Sequence, residues 1–295
     1  MNCIFEHTRY LRTHGVVARL ILSFSLIGVQ VALSQQSGNA PSTDAGQAAP
    51  TESGGDLASQ ANDPSAPLKQ LNFYNSYNPA YFGSQGEGNV LLIRPVLPAE
   101  SRGWFPATIT RPAIPVVSLP NGRSGFGDLS LISLFFPFNG PPHTKIGIGE
   151  ALALPTASSS LLGQGKWQLG PAALVIYTGV RSLVVGALVQ NPISFAGESR
   201  RRDVNSMTLQ PLIVKTFRGG YFVRTDPTLN FDWERGGAAT IPVNLGFGKV
   251  IRIGSRPVNA YIQPEWTVHH PTFPGSVAPK FTIRLSFTFL YPAKR

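Results

Sequence analysis

The chain has 295 residues, with 25 Lys and Arg against 15 Asp and Glu, which gives a net charge of +10 at pH 7. Only 14% of the residues are charged, 26 are Pro, 30 are Gly, and the mean hydropathy is +0.03. This composition is too apolar for a disordered chain and too rich in Gly and Pro for a helical bundle. After residue 35, no stretch approaches the roughly 20 consecutive apolar residues that a membrane-spanning helix needs. Two all-β classes remain, a soluble β protein and a transmembrane β-barrel.

The first segment, residues 1–34, has the pattern of an export signal. Three arginines precede an apolar run at 20–32, and the small residues Ala32 and Ser34 flank a cleavage site. About thirteen apolar residues are too few for a membrane anchor, the alternative reading. The only cysteine, Cys3, lies in this segment, so no disulfide is expected in the exported protein.

The second segment, residues 35–67, is dominated by Gln, Ser, Ala, Gly and Pro. It contains four acidic residues and no Lys or Arg. Such a composition cannot bury a core, so the segment is expected to be a disordered periplasmic leader. The remaining part, residues 68–295, carries 22 Lys and Arg against 10 Asp and Glu.

This third segment is dominated by alternation of apolar and polar residues. In its last stretch, Phe281, Ile283 and Leu285 alternate with Thr282 and Arg284. Similar stretches, about ten residues long, suit tilted membrane strands better than the strands of a globular sheet. The twelve predicted strands lie near 71–77, 88–97, 104–116, 126–136, 143–153, 167–177, 182–191, 205–216, 221–233, 240–250, 258–267 and 280–289.

The connections between these strands alternate between tight turns and longer polar loops, as in outer-membrane barrels. All four tryptophans fall at strand ends: Trp104, Trp167, Trp233 and Trp266. Aromatic girdles occupy those positions in membrane barrels. The sequence therefore predicts an all-β fold, an antiparallel transmembrane β-barrel of the outer-membrane type with about 12 strands over residues 68–295.

Four residues conflict with regular strands. Pro171, Pro211 and Pro264 lie inside predicted strands, where the missing N–H predicts bulges or shifted registers. Glu150 shares its parity with Ile148, which would direct its carboxylate at lipid unless a local bulge turns it inward.

A series of short motifs resembles the family called MetA-pathway of phenol degradation, a family of bacterial outer-membrane proteins sometimes misnamed neuromedin U. Two motifs begin the series, 94–98 (RPVLP) and 111–115 (RPAIP). The later motifs are 125–128 (GFGD), 153–157 (ALPTA), 162–163 (LG), 166–167 (KW), 203–205 (DVN), 209–211 (LQP), 232–234 (DWE) and 241–244 (IPVN). The resemblance covers roughly residues 68–292.

The resemblance implies an outer-membrane barrel, with transport as the expected activity and, in some organisms, an association with aromatic-compound degradation. It provides no catalytic residues. The chain departs from many outer-membrane barrels in one respect, because four residues follow Tyr291 where a terminal aromatic residue often serves as an assembly signal.

Charged residues of both signs fall on the predicted lumen face of the strands: Arg94, Asp128, Arg224, Asp226, Glu265 and Arg284. These are the candidate lumen-lining residues. They either pair with each other and stiffen the barrel, or produce a transverse field that selects solutes.

A basic cluster, Arg200, Arg201 and Arg202, lies in a predicted outer loop. Lipopolysaccharide phosphates are the anions that it would meet there, and a merely solvated loop is the other interpretation. The expected partners are outer-membrane lipid, lipopolysaccharide and a small-molecule solute. Export to the envelope excludes nucleic acid, and the sequence leaves the oligomeric state open.

Catalytic residues are scarce. His269 and His270 share a predicted outer loop with Ser276, which would allow an envelope lipid hydrolase or acyltransferase. Nothing in the sequence positions a third group, and adjacent histidines on a strand point to opposite faces. The sequence therefore predicts no enzyme, no metal site and no cofactor.

The leading functional hypothesis is a passive channel or uptake route for small molecules, aromatic or apolar ones among them, in the bacterial outer membrane. A barrel of twelve strands allows only a narrow path. The alternative is a non-conducting structural or adhesive barrel, and the third hypothesis is the lipid enzyme.

Overall fold

The structure, a computed structural model, describes residues 54–138 and 140–291. The predicted export signal lies outside the described residues. One helix, α1, spans Gly54–Asn62. The strands are β1 Lys69–Phe82, β2 Gly88–Ala99, β3 Ala107–Ser118, β4 Ser124–Phe126, β5 Leu129–Phe136, β6 Thr144–Leu154, β7 Lys166–Tyr177, β8 Leu183–Gln190, β9 Ile193–Gly197, β10 Ser206–Thr216, β11 Tyr221–Thr225, β12 Leu229–Asp232, β13 Ala238–Asn244, β14 Gly246–Ile253, β15 Arg256–His269 and β16 Ala278–Tyr291. Two 3₁₀ turns occur at Arg218–Gly220 and Trp233–Arg235.

The strands form one closed antiparallel sheet. Four pairs of consecutive segments (β4 and β5, β8 and β9, β11 and β12, β13 and β14) each form one interrupted strand, so the sheet has twelve strands around its circumference. The first and last strands close it, with Lys69 opposite Tyr291 and Asn72 opposite Thr288. The predicted fold class is confirmed.

The two ends of the barrel differ in their connections. At the terminal end, where β1 begins and β16 ends, the connections have two to seven residues; at the opposite loop end they have five to eleven. Trp167, Trp233 and Trp266 lie toward the loop end and are 44 to 50% exposed. In outer-membrane barrels the short turns face the periplasm.

Each of the three prolines predicted to disturb the strands lies opposite an interruption in a neighbouring strand. Pro171 faces the gap between β8 and β9, because Leu169 pairs with Ile193 while Ala172 pairs with Gln190. Pro211 likewise lies between the residues of β10 that pair with β11 and those that pair with β12. The β13/β14 break is opposite Pro264. Proline donates no ladder hydrogen bond, so the neighbouring strand is the one that departs from regular geometry.

Glu150 lies on the same face of β6 as Ile148, as the alternation in the sequence predicts. The β6 strand pairs without a register shift on both sides, with Glu150 opposite Ser133 and Pro171. Its neighbour Ala151 is buried inside the barrel, and Ile148, two residues earlier, is 44% exposed. No bulge turns Glu150 inward, so the carboxylate lies on the outer face of the barrel.

The described part of the leader differs from the predicted disordered segment. Helix α1 and the turn that follows it, residues 54–66, lie within the barrel at the terminal end and are called the plug below. Leu57, Ala61 and Leu68 pack with Leu290 of β16 in one buried cluster. A nine-residue helix is marginal alone in water, and burial of its apolar side chains against the lumen wall stabilises it. No helix among the described residues is long and apolar enough to cross a membrane.

Candidate functional site

The lumen contains a cavity of about 330 Å³. Its floor at the terminal end is formed by residues 61–66, from the end of α1 and the following turn. Its wall consists of inward-facing side chains from strands all around the barrel. Pockets that bind small molecules generally have volumes of about 300 to 1,000 Å³, so the cavity is at the small end of that range.

The wall has a charged sector and an uncharged one, in which aliphatic side chains lie beside Gln190, Thr208 and Gln210. The charged sector comes from the strands on either side of the β1/β16 seam and contains Arg94, Arg111, Arg224, Asp226 and Arg284. Of the described residues that line the cavity, those from β5, β7, β8 and β10 are all uncharged. The large aliphatic ones are Ile132, Leu174, Ile176, Leu188 and Leu212. Burial of these side chains against one another forms the main apolar cluster of the molecule.

Asp226 is the centre of a buried hydrogen-bond network. Its carboxylate accepts bonds from Arg224 Nη2 (2.6 Å), Arg224 Nε (3.2 Å) and Gln263 Nε2 (2.6 Å). Its backbone N–H donates to Asn244 Oδ1 at 2.9 Å. A buried carboxylate requires such partners, because desolvation of an unpaired charge costs several kcal/mol. The network therefore fixes this part of the wall.

A second ion pair, between Arg284 and Glu265, extends the network to β16. Arg284 Nη2 lies 3.5 Å from Glu265 Oε2, and Arg284 Nη1 donates to Gln263 Oε1 at 3.2 Å. Glu265 also accepts a bond from Asn244 Nδ2 at 2.7 Å. Both ion pairs join groups on the same strand or on adjacent strands. The pairs therefore run along the wall rather than across the lumen.

Two arginines of the charged sector have no acidic partner. Arg94 has its guanidinium carbon 5.4 Å from the ring centre of Tyr74, and Arg111 donates from Nη2 to the carbonyl of Pro64 in the plug turn. In the described part of the chain, no carboxylate lies within ion-pair distance of either. The Nε atom of Arg111 is buried and has no hydrogen-bond partner among those residues.

Helix α1 is tied to the wall by polar side chains. Asn62 Oδ1 accepts bonds from Arg224 Nη1 and Asn259 Nδ2, both at 3.2 Å. Lys145 Nζ lies 3.7 Å from Asp63 Oδ2 and donates to the Ser65 carbonyl. These contacts, with the bond from Arg111 to Pro64, hold the end of the helix and its turn against one end of the cavity.

The predicted lumen residues do not all meet at the cavity. Arg94, Arg224, Asp226 and Arg284 line it, and Glu265 belongs to the network behind it. Asp128 is elsewhere: it accepts bonds from the backbone N–H groups of Ala157 (3.0 Å) and Gln164 (2.6 Å), in the connection between β6 and β7. Asp128 lies in the interruption between β4 and β5, so simple alternation does not apply to it.

Arg111 is the main residue that the sequence reasoning missed. Arg111 shares its strand face with the buried residues Ile109 and Ala113. Strand parity alone therefore identifies it as inward-facing. The plug residues Asn62 and Asp63 had no comparable signal, since they lie in a segment of low-complexity composition.

The basic cluster is largely paired within the loops. Arg202 Nη2 lies 2.6 Å from Asp232 Oδ2, and Arg201 Nε lies 3.5 Å from Glu198 Oε2. Arg201 also donates to the carbonyl of Ser160. Arg200 is exposed. Two of the three predicted lipopolysaccharide contacts thus already have anionic partners in the protein.

The candidate catalytic residues do not form a triad. Ser276 Oγ donates to the carbonyl of Pro271 at 2.9 Å, and His270 Nδ1 lies 2.9 Å from the same oxygen. The His270 ring stacks on Phe82 with 3.8 Å between centroids. Residues 54–138 and 140–291 include no group of three His, Cys, Asp or Glu side chains placed to hold a metal ion.

The closed twelve-stranded sheet, its apolar outer surface and the aromatic residues at its ends define a transmembrane β-barrel of the outer-membrane type.

No protein-family model and no curated protein matches the chain. Among solved structures, an outer membrane channel from Pseudomonas putida F1 superposes with a TM-score of 0.56 at 13% identity, covering 76% of this chain and 94% of that one. The NanC porin gives 0.49 at 9% identity, covering 76% and 100%. The KdgM porin gives 0.47 at 11%, covering 76% and 99%. At such identities the similarity concerns the fold.

Proposed function

We propose that the protein is a passive outer-membrane channel or uptake route for small molecules, aromatic or apolar ones among them. The observation that carries this proposal is the lumen cavity, with its combination of charged and aliphatic walls. Side chains fill the interior of a barrel of about eight strands, and twelve strands leave room for a narrow path. The fold similarity to an outer membrane channel is consistent with the proposal. Export through the signal at residues 1–34 and the link to aromatic-compound degradation belong to the same proposal.

Conductance in planar lipid bilayers tests this function directly. Purified, folded protein is inserted, and the current is recorded in potassium chloride. Discrete current steps, together with swelling of protein-containing liposomes in small solutes, are the expected result. If correctly folded protein gives neither current nor solute flux, both intact and without residues 54–66, the channel function is refuted.

The second candidate is a non-conducting structural or adhesive barrel. Two observations favour it: helix α1 lies inside the lumen, and the ion pairs of Arg224 and Arg284 stiffen the wall. A variant that lacks residues 54–66 separates the two functions. A channel blocked by the helix gains conductance in this variant, whereas a structural barrel still gives none.

Lipopolysaccharide remains a proposed partner of the outer loops, and Arg200 is the arginine of the cluster best placed for it. Replacement of Arg200 by Gln is expected to weaken binding of lipopolysaccharide to the folded protein. The same replacement at Arg218, in a turn at the terminal end, is the matched control.

A further inference from the structure

Among the described residues, the lining of the lumen cavity has an excess of positive charge. These residues contribute four arginines, Arg94, Arg111, Arg224 and Arg284, and two carboxylates, those of Asp63 and Asp226. Asp226 is paired with Arg224, and Asp63 is near Lys145. Arg284 has Glu265 beside the cavity. The two remaining guanidinium groups, Arg94 and Arg111, lie on adjacent strands and face a partly enclosed space. In the part of the chain that the structure describes, no carboxylate is within ion-pair distance of either.

This arrangement is costly without an anion. Like charges at short range repel, and the repulsion is stronger where water is limited. A buried donor without an acceptor costs about 1 to 3 kcal/mol, and the Nε of Arg111 is such a donor. Buried unsatisfied groups in proteins commonly mark the position of a water molecule, an ion or a ligand.

The geometry points to a carboxylate as the group that binds there. Guanidinium groups hold carboxylates through two parallel hydrogen bonds, and a carboxylate can accept from two arginines at once. Phosphate would bring up to two charges, which the local excess could also balance, but it would leave the aliphatic side chains of the lining without a partner. Those side chains come from β5, β7, β8 and β10, which also contribute the uncharged polar groups of Gln190, Thr208 and Gln210.

We propose that the cavity is a binding site for a small amphipathic carboxylate, held by Arg94 and Arg111 at its head and by Ile132, Leu174, Leu188 and Leu212 at its apolar tail. This inference rests on the proposed function, since it names the solute class of the same lumen. A cavity of about 330 Å³ accommodates a benzoate-sized or medium-chain aliphatic acid rather than an oligosaccharide.

Calorimetric titration of the folded, full-length protein in detergent with sodium benzoate tests the site. Benzyl alcohol and benzylamine have the same ring with a neutral or cationic head, and sodium acetate has the head without the ring. Benzoate is expected to bind at least about tenfold more tightly than any of the three, a difference of about 1.4 kcal/mol. Equal binding of benzoate, benzyl alcohol and benzylamine would overturn the proposal, because the arginines would then contribute nothing.

Two variants and one control locate the head group. Arg94→Gln and Arg111→Gln are each expected to lower benzoate affinity about tenfold or more. Arg123→Gln, in an exposed loop at the opposite end from the plug, keeps the affinity. Arg111 also binds the plug turn, so Arg94→Gln is the decisive variant if Arg111→Gln does not fold. Unchanged binding in folded Arg94→Gln would refute this position of the site.

The outcome also separates this inference from the channel function. Protein that conducts ions but does not bind benzoate refutes the carboxylate site and leaves the channel intact. Protein that binds benzoate without conducting ions or passing solutes refutes the channel and retains the site.

Discussion

Asn62, at the end of α1, accepts a hydrogen bond from Arg224 of β11 over 3.2 Å, although 162 residues separate the two in the sequence. Arg224 is at the same time the partner of Asp226, so one guanidinium group joins the plug to the buried network of the wall. The end of α1 and the buried ion pair of the wall therefore share one side chain.

Replacement of Asn62 by Leu is expected to release α1 from the lumen. The leucine cannot accept the bonds from Arg224 and Asn259, and each donor left unsatisfied costs about 1 to 3 kcal/mol. Single-channel recording should show larger or more frequent current steps than in the unmodified protein. Asn121→Leu, in a loop at the opposite end of the barrel, is the control. Unaltered currents in Asn62→Leu would show that α1 does not limit the path.

Replacement of Asp226 by Asn is expected to destabilise the barrel by about 3 to 5 kcal/mol, because it leaves Arg224 charged and buried without a carboxylate. The measurement is urea unfolding in detergent, with the heat-resistant compact band on a gel as a second readout. Asp232→Asn removes a more exposed carboxylate, beside Arg202 and Arg235, and should cost less than about 1 kcal/mol. Equal losses in the two variants would contradict a special role for the buried pair.

Replacement of Glu150 by Leu is expected to stabilise the folded barrel in lipid by about 1 to 2 kcal/mol. A carboxylate on the lipid-facing surface loses hydration, and an aliphatic side chain at the same position does not. Glu100→Leu, in an exposed connection at the terminal end, should give no such gain. A loss of stability in Glu150→Leu would show that the carboxylate has a partner or a function on the outer face.

The pH response of the loop end depends on Asp203. A hydrogen bond from Lys166 Nζ at 2.8 Å, together with the charge of that lysine, lowers the pKa of the Asp203 carboxyl group. A pKa lowered by folding means that the contribution of this pair is complete above the unfolded value and is lost as the pH falls through the lowered one. Carbon NMR titration should give a pKa below the ordinary value of about 3.9. In Lys166→Met it should return toward that value, and identical titrations would contradict the pairing.

Much of the fold could be predicted from the sequence because a membrane barrel repeats one rule. Each strand must present apolar side chains to lipid at every second position. The alternation therefore indicates where the strands lie and which of their side chains face lipid or the lumen. The same parity predicts that Arg94 and Arg284 face the lumen, and both line the cavity. Simple alternation does not apply to Asp128, because it lies in the interruption between β4 and β5, and its carboxylate binds a neighbouring connection.

The plug could not be predicted from its own residues. Leu57, Ala58 and Ala61 are the buried apolar side chains of a short helix whose segment otherwise has the composition of a flexible linker. Its helical state depends on contacts with Leu290 and Arg224, which are more than 150 residues away in the chain. Composition reports what a segment can bury alone, and it contains no information about a surface that the rest of the chain provides.

The position of Leu290 gives the seam of the barrel a second role. Leu290 belongs to the strand that pairs with β1, and its side chain packs against Leu57 and Ala61 of the plug. The hydrogen bonds that close the cylinder and the apolar contacts that hold α1 inside it thus share one strand. Local fraying of β16 from β1 would therefore loosen α1 as well, while the other ten strands stay paired.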